Sequence, residues 1–128
     1  LRAGEKGRRV ALLGLTYKPG TNTLRRSSAV ELARALADHG IEVRACDPSQ
    51  PPLPADLGFI QFQSTAAATV DGADAVVVCT EWPEFRALDW SALLPRLRRP
   101  LVLDATRFLE KSVAGQPGLH YVSVGSPA

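Results

Sequence analysis

A chain of 128 residues with 45% apolar and 22% charged content has the length of one domain and is large enough to bury a core without staples. A net charge of +2 is too small by itself to argue for nucleic acid, which is not expected as a partner, and no apolar run reaches the length of a membrane span. The two cysteines, Cys46 and Cys79, make neither a disulfide framework nor a metal-ligand spacing, which fits a reducing, cytoplasmic setting.

Leu1 to Gly7 are polar and glycine-containing and read as the remnant of a linker; residues 8–128 read as one domain. Arg9-Val-Ala-Leu-Leu-Gly14 is a continuous apolar run closed by glycine, the pattern of a buried parallel strand. A polar loop follows, and Ser27 or Ser28 then caps a helix whose stripe is Val30, Leu32, Ala33, Leu36 and Ala37. His39-Gly40 ends that helix, and Ile41 to Cys46 make a second strand stopped by Asp47-Pro48. The proline-rich stretch from Pro48 to Leu57 reads as a surface connection. A weak strand is expected at Phe59–Phe62, a short helix at Thr65–Val70 and a strong strand at Asp74–Cys79. A helix at Trp90–Leu97, a strand at Pro100–Asp104 and a last strand at His120–Val124 complete the order.

Strands alternating with helices at this spacing predict a three-layer, doubly wound α/β domain, Rossmann-like, with a mainly parallel sheet of five to six strands. Such sheets bind ligands outside the carboxyl ends of their strands, where the strand order reverses. The loop after the first strand therefore carries the functional reading. It contains Gly14-Leu-Thr-Tyr-Lys-Pro-Gly20, which matches neither the G-x-G-x-x-G dinucleotide turn nor a G-x-x-x-x-G-K phosphate loop. It is about twelve residues long, and long ordered loops of this kind tend to be functional. Lys18 offers a point charge and Arg25 a planar fork for phosphate oxygens. Tyr17 can stack on a ring, and Ser27 sits at a helix N-terminus, where anions are favoured. The same residues also make a solvated basic loop that only caps a helix.

The stretch Val10-Ala-Leu-Leu-Gly-Leu-Thr-Tyr-Lys-Pro-Gly-Thr-Asn-Thr-Leu-Arg-Arg-Ser-Ser resembles the opening of the C-terminal, UDP-sugar-binding domain of the UDP-glucose/GDP-mannose dehydrogenase family. Val43 to Pro48, Ala73-Asp-Ala-Val-Val-Val-Cys-Thr-Glu-Trp-Pro-Glu-Phe and the Leu103-Asp104 region extend the likeness over roughly residues 8 to 125. The resemblance implies an NAD-dependent oxidoreductase that takes a sugar C6 alcohol to a carboxylate through a covalent cysteine intermediate. It places NAD on an upstream domain and the reactive cysteine upstream as well. This chain alone is then expected to be inactive and to hold no cofactor. Tyr17, Lys18, Arg25 and Ser27 fall on the family's substrate-binding motif.

The chain departs from that family at named positions. Asn22 and Thr23 stand where acidic residues are common, and Arg26 where glutamate is common. Thr106 stands where many members carry an arginine directed at the nucleotide sugar, so Arg107, one residue later, is the candidate to replace it. The expected partners are a UDP-sugar and the upstream NAD-binding and dimerisation domains of a parent enzyme; a homo-oligomer is compatible with the sequence. The alternative reading is a free-standing, non-catalytic nucleotide-binding or interaction module derived from that family. Cys46 and Cys79 read as small buried hydrophobes, Trp82 and Phe85 as anchors of their loop, and Asp104 as an acceptor for loop amides. The Arg96, Arg98 and Arg99 cluster reads as a solvated face at a helix end.

Overall fold

The structure is a computed structural model that describes residues 8–16, 24, 27–113, 115–116 and 118–123. Its frame is a sheet of six parallel strands. These are β1 (Arg9–Leu13), β2 (Glu42–Cys46), β3 (Gln61–Phe62), β4 (Ala75–Val78), β5 (Leu101–Leu103) and β6 (His120–Val122), in the spatial order β3-β2-β1-β4-β5-β6. The apolar runs become strands because both faces of the sheet are covered. Along β1, Val10 and Leu12 enter one core, while Ala11 and Leu13 enter the other. No alternation with polar residues survives in a strand buried on both sides.

One core is closed by helix α1 (Ser28–Asp38), which buries Ala29, Val30 and Ala33 against β1 and β2. The other is closed by α2 (Ala66–Val70), α3 (Trp90–Leu93) and α4 (Glu110–Val113), with Val70, Trp90, Leu93 and Val113 buried there. Helices on both faces make the three layers that the sequence predicts. The chain runs outward from β1 to β3, then crosses to β4 and runs outward the other way. The reversal falls between β1 and β4.

Several elements differ from their sequence reading, each for a physical reason. The strand expected from Phe59 shrinks to Gln61–Phe62, because Ile60 leaves the strand line to enter the α1-side core while Phe59 stays exposed. The helix expected over Trp90–Leu97 keeps α geometry only to Leu93, then tightens to a 3-10 turn over Leu94–Arg96. Pro95 has no N–H to return to Ser91, so the α pattern cannot continue through it. The proline-rich connection holds a 3-10 turn at Ala55–Leu57 that buries Leu57. Helix α4 has too few apolar residues to register as a period.

The arginine cluster gains partners that the sequence reading does not name. Arg96 pairs with Asp71 at 3.2 Å, while Arg98 and Arg99 lie 3.5 and 3.8 Å from the carboxylate of Asp74. Asp74 also has Arg8 at 3.6 Å and accepts the Arg9 N–H at 2.9 Å. Arg96, Arg98 and Arg99 remain exposed, as expected of a solvated face, and in addition pair with carboxylates at the amino-terminal end of the sheet. No described helix is long and apolar enough to cross a membrane.

Candidate functional site

Where β1 ends, the chain must leave the sheet between two neighbouring strands, and Gly14 does this at φ +97°. A β-carbon there would lie 2.4 Å from Thr80 Cβ and 2.8 Å from the Thr80 backbone nitrogen. Both the positive φ and the close approach require glycine. Hydrogen bonds then join three strand ends at this point. Gly14 N donates to Cys46 O at 2.8 Å, Cys79 N donates to Leu13 O at 2.9 Å, and the Thr80 hydroxyl donates to Thr16 O at 2.8 Å.

The hub of this region is Asp47, just past β2 and almost wholly buried. Its Oδ2 accepts the N–H groups of Leu15 at 2.8 Å and Thr16 at 3.0 Å, the Thr16 hydroxyl at 2.9 Å and the Trp82 indole at 3.3 Å. Its Oδ1 accepts from the Ser49 amide and hydroxyl. Burial by itself raises the Asp47 pKa, but the bonds from Ser49, Leu15 and Thr16 outweigh it and hold the carboxyl below its ordinary value. Trp82 thus anchors its loop, as the sequence suggests, and Phe85 is buried in the core.

Beside this hub lies a cleft of about 510 Å³. The end of β4 and the residues after it, Val77 to Glu81, form its floor. The first turns of α1 give one wall through Ser28, Ala29 and Leu32, and Ala105 and Thr106 after β5 give the other. Thr106 donates its hydroxyl to Glu81, which ties that wall to the floor. The cleft therefore sits at the strand-order reversal, with the positive end of an eleven-residue helix on its rim.

The expected site residues distribute as follows. Ser27 is buried; its hydroxyl donates to Leu15 O and accepts from Val30 N, so it joins the cap of α1 to the end of β1. Tyr17, Lys18 and Arg25 lie outside the described residues, as do Asn22, Thr23 and Arg26. Arg107 is described and does not line the large cleft. At φ +60° it turns toward Glu110 Oε2 and Ser123 Oγ, each at 3.2 Å. Ala105 and Thr106 are the residues of that loop that face the cleft.

Asp104 accepts the Leu109 N–H at 2.6 Å and the Tyr121 hydroxyl at 2.7 Å, so it shapes the loop after β5. Burial, with help from this carboxylate, pushes the Tyr121 phenol pKa up. Desolvation raises the thiol of Cys46 to about 11 and that of Cys79 to about 12, so neither supplies a thiolate at neutral pH. Among the described residues no group of His, Cys, Asp and Glu could hold a metal ion.

The sequence and the described strand ends lack the usual dinucleotide features. The glycine-rich turn is absent, and the acid at the end of β2, which would take ribose hydroxyls in a dinucleotide fold, is occupied by Leu15, Thr16, Ser49 and Trp82. Sequence reasoning treats Asp47 only as a strand stop. The usable signal is an acid directly after an apolar strand in a doubly wound pattern.

Comparison with known proteins agrees with this geometry. A family model described as the UDP-glucose/GDP-mannose dehydrogenase family, UDP binding domain, matches residues 11–111. UDP-glucose 6-dehydrogenase of Rickettsia bellii is 36% identical over 94% of this chain and 29% of its own length. That of Rhizobium meliloti is 37% identical over 95% of this chain and 28% of its own. The structure of UDP-D-ManNAc dehydrogenase from Pyrococcus horikoshii superposes with a TM-score of 0.72 at 25% identity, covering 92% of this chain and 25% of that one. The chain thus spans under a third of the length of the relatives it matches.

Proposed function

The chain belongs to the UDP-glucose/GDP-mannose dehydrogenase family, and on that premise we propose that it is the UDP-sugar-binding unit of an NAD-dependent enzyme that oxidises a sugar C6 alcohol to a carboxylate. The observation that carries this reading is the cleft at the strand-order reversal, bounded by the start of α1, the residues after β4 and the residues after β5. In this reading Lys18 and Arg25 neutralise the diphosphate, Tyr17 stacks on a ring, and Ser27 holds the α1 terminus toward the anion. NAD and the reactive cysteine belong to other segments of the parent enzyme, which works in the cytoplasm. The raised thiols of Cys46 and Cys79 and the occupied Asp47 favour that division of labour.

Calorimetric titration of UDP, UDP-glucose and GDP-mannose into the 128-residue chain tests the binding role. The two UDP compounds are expected to bind weakly, with Lys18→Ala weakening them further by about tenfold or more, the lower end of the range of one charge-assisted contact. Equal affinity in both proteins removes Lys18 from the site. With NAD and UDP-glucose together the chain is expected to produce no NADH, and turnover measured at 340 nm by the purified chain would refute the non-catalytic assignment. One feature favours the second reading, a non-catalytic binding module: Thr106, bonded to Glu81, occupies the cleft wall where an arginine is common in the family.

A further inference from the structure

We propose that a second, smaller cleft beside α4 binds a phosphate-class dianion independently of the nucleotide cleft. It encloses about 280 Å³ and is lined by Arg86, Arg107, Phe108, Glu110, Lys111 and Ser112. Three cations face one carboxylate there, brought together from two distant stretches of chain. The local surplus of two positive charges matches a phosphate near neutral pH.

The site is built and not merely basic. Arg86 donates Nε to Phe108 O at 2.9 Å and lies over the Phe108 ring with its Cζ 4.0 Å from the centroid. Ser112 donates to Arg86 O at 3.1 Å, which ties α4 to the backbone of that arginine. Arg107 is oriented by Glu110 and Ser123 on a left-handed backbone that an L side chain adopts only when its surroundings hold it there. Two guanidinium groups are therefore oriented before any ligand arrives. Oriented planar donors suit a tetrahedral oxyanion, and Lys111 adds a mobile point charge at the exposed side. Arg107 thereby serves this cleft, and the nucleotide cleft keeps Thr106.

The test is an amide-resonance titration of the full chain with inorganic phosphate, with and without saturating UDP. The proteins compared are wild type, the double variant Arg86→Gln/Lys111→Gln, and Lys18→Ala. Resonances of residues 107–112 are expected to shift in wild type and Lys18→Ala, and the same shifts to persist with UDP present. The double variant should bind at least about tenfold more weakly. Lys111→Gln alone, on an exposed side chain that leaves the fold intact, should weaken binding by about threefold and controls for misfolding of the double variant. Shifts confined to Ser28, Ala29 and Thr80, equal affinity in wild type, the double variant and Lys111→Gln, or no shift at millimolar phosphate would overturn the proposal. Displacement of phosphate by UDP would also overturn it, by making these residues a subsite of the nucleotide. Failure of UDP to bind at all leaves the phosphate result standing and counts only against the proposed function.

Discussion

Gly14→Ala is expected to cost the domain about 2–5 kcal/mol, summing a positive-φ penalty and overpacking of a rigid site. The new methyl would lie 2.4 Å from Thr80 Cβ and 2.8 Å from the Thr80 nitrogen, and a backbone atom cannot rotate away as a side-chain tip can. Relief requires β1 and β4 to part at their carboxyl ends, which breaks the bonds from Cys79 N and Thr80 N to Leu13 O. Against a typical total of about 5–15 kcal/mol, such a loss removes a large fraction of the stability of a domain at the lower end of that range. Urea unfolding followed by circular dichroism measures it; a midpoint equal to that of wild type would show that the strand ends can separate cheaply. Any residual folded protein should also have lost UDP binding, because the floor of the cleft moves with Thr80.

The second large effect is expected at Asp47. Replacement by alanine strips acceptors from the Leu15, Thr16 and Ser49 amides and from the Trp82 indole. Leaving buried donors without partners costs about 1–3 kcal/mol each where water cannot reach them, so a loss of about 3 kcal/mol or more is expected. The acid limb of the stability curve carries the same signature. The folded-state pKa of Asp47 is depressed, so its contribution is present above the unfolded carboxylate value of about 3.9 and is lost as pH falls through the folded value. Asp47→Asn, which keeps one acceptor but cannot titrate, should show a shallower loss of stability below about pH 4 than wild type. Parallel acid limbs in the two proteins would mean that other carboxylates control acid unfolding.

Much of the fold is legible in the sequence because burial on both faces leaves a strong mark. Val10 to Leu13 and Ala75 to Val78 are runs without polar interruption, and the α1 stripe from Val30 to Ala37 has a clear helical spacing. What escapes is whatever depends on tertiary partners. Gln61–Phe62 makes a strand only because β2 pairs with it. Arg98 and Arg99 are solvated, as their composition suggests, but their pairing with the buried Asp74 appears only in the fold. The site divides in the same way. The loop after β1 is marked by its own composition, whereas Asp47 gains its role from partners on two other strand ends. Arg107 and Thr106 are adjacent in sequence, yet they face different clefts, which no composition argument can resolve.

The placement of β1 between β2 and β4 also sets the order in which the molecule can assemble. The first pairing closes across α1 alone, whereas the second waits for a partner 65 residues away, as between Arg9 and Asp74. A half-formed chain holding β1, α1 and β2 has part of the α1-side core and no cleft, since Leu57 and Ile60 come later and the floor arrives with β4. Long-range parallel pairing of this kind is the slow event in folding. Nucleotide then meets a binding surface only after that event, so it should act as a latch on the finished domain, slowing its opening without hastening its formation.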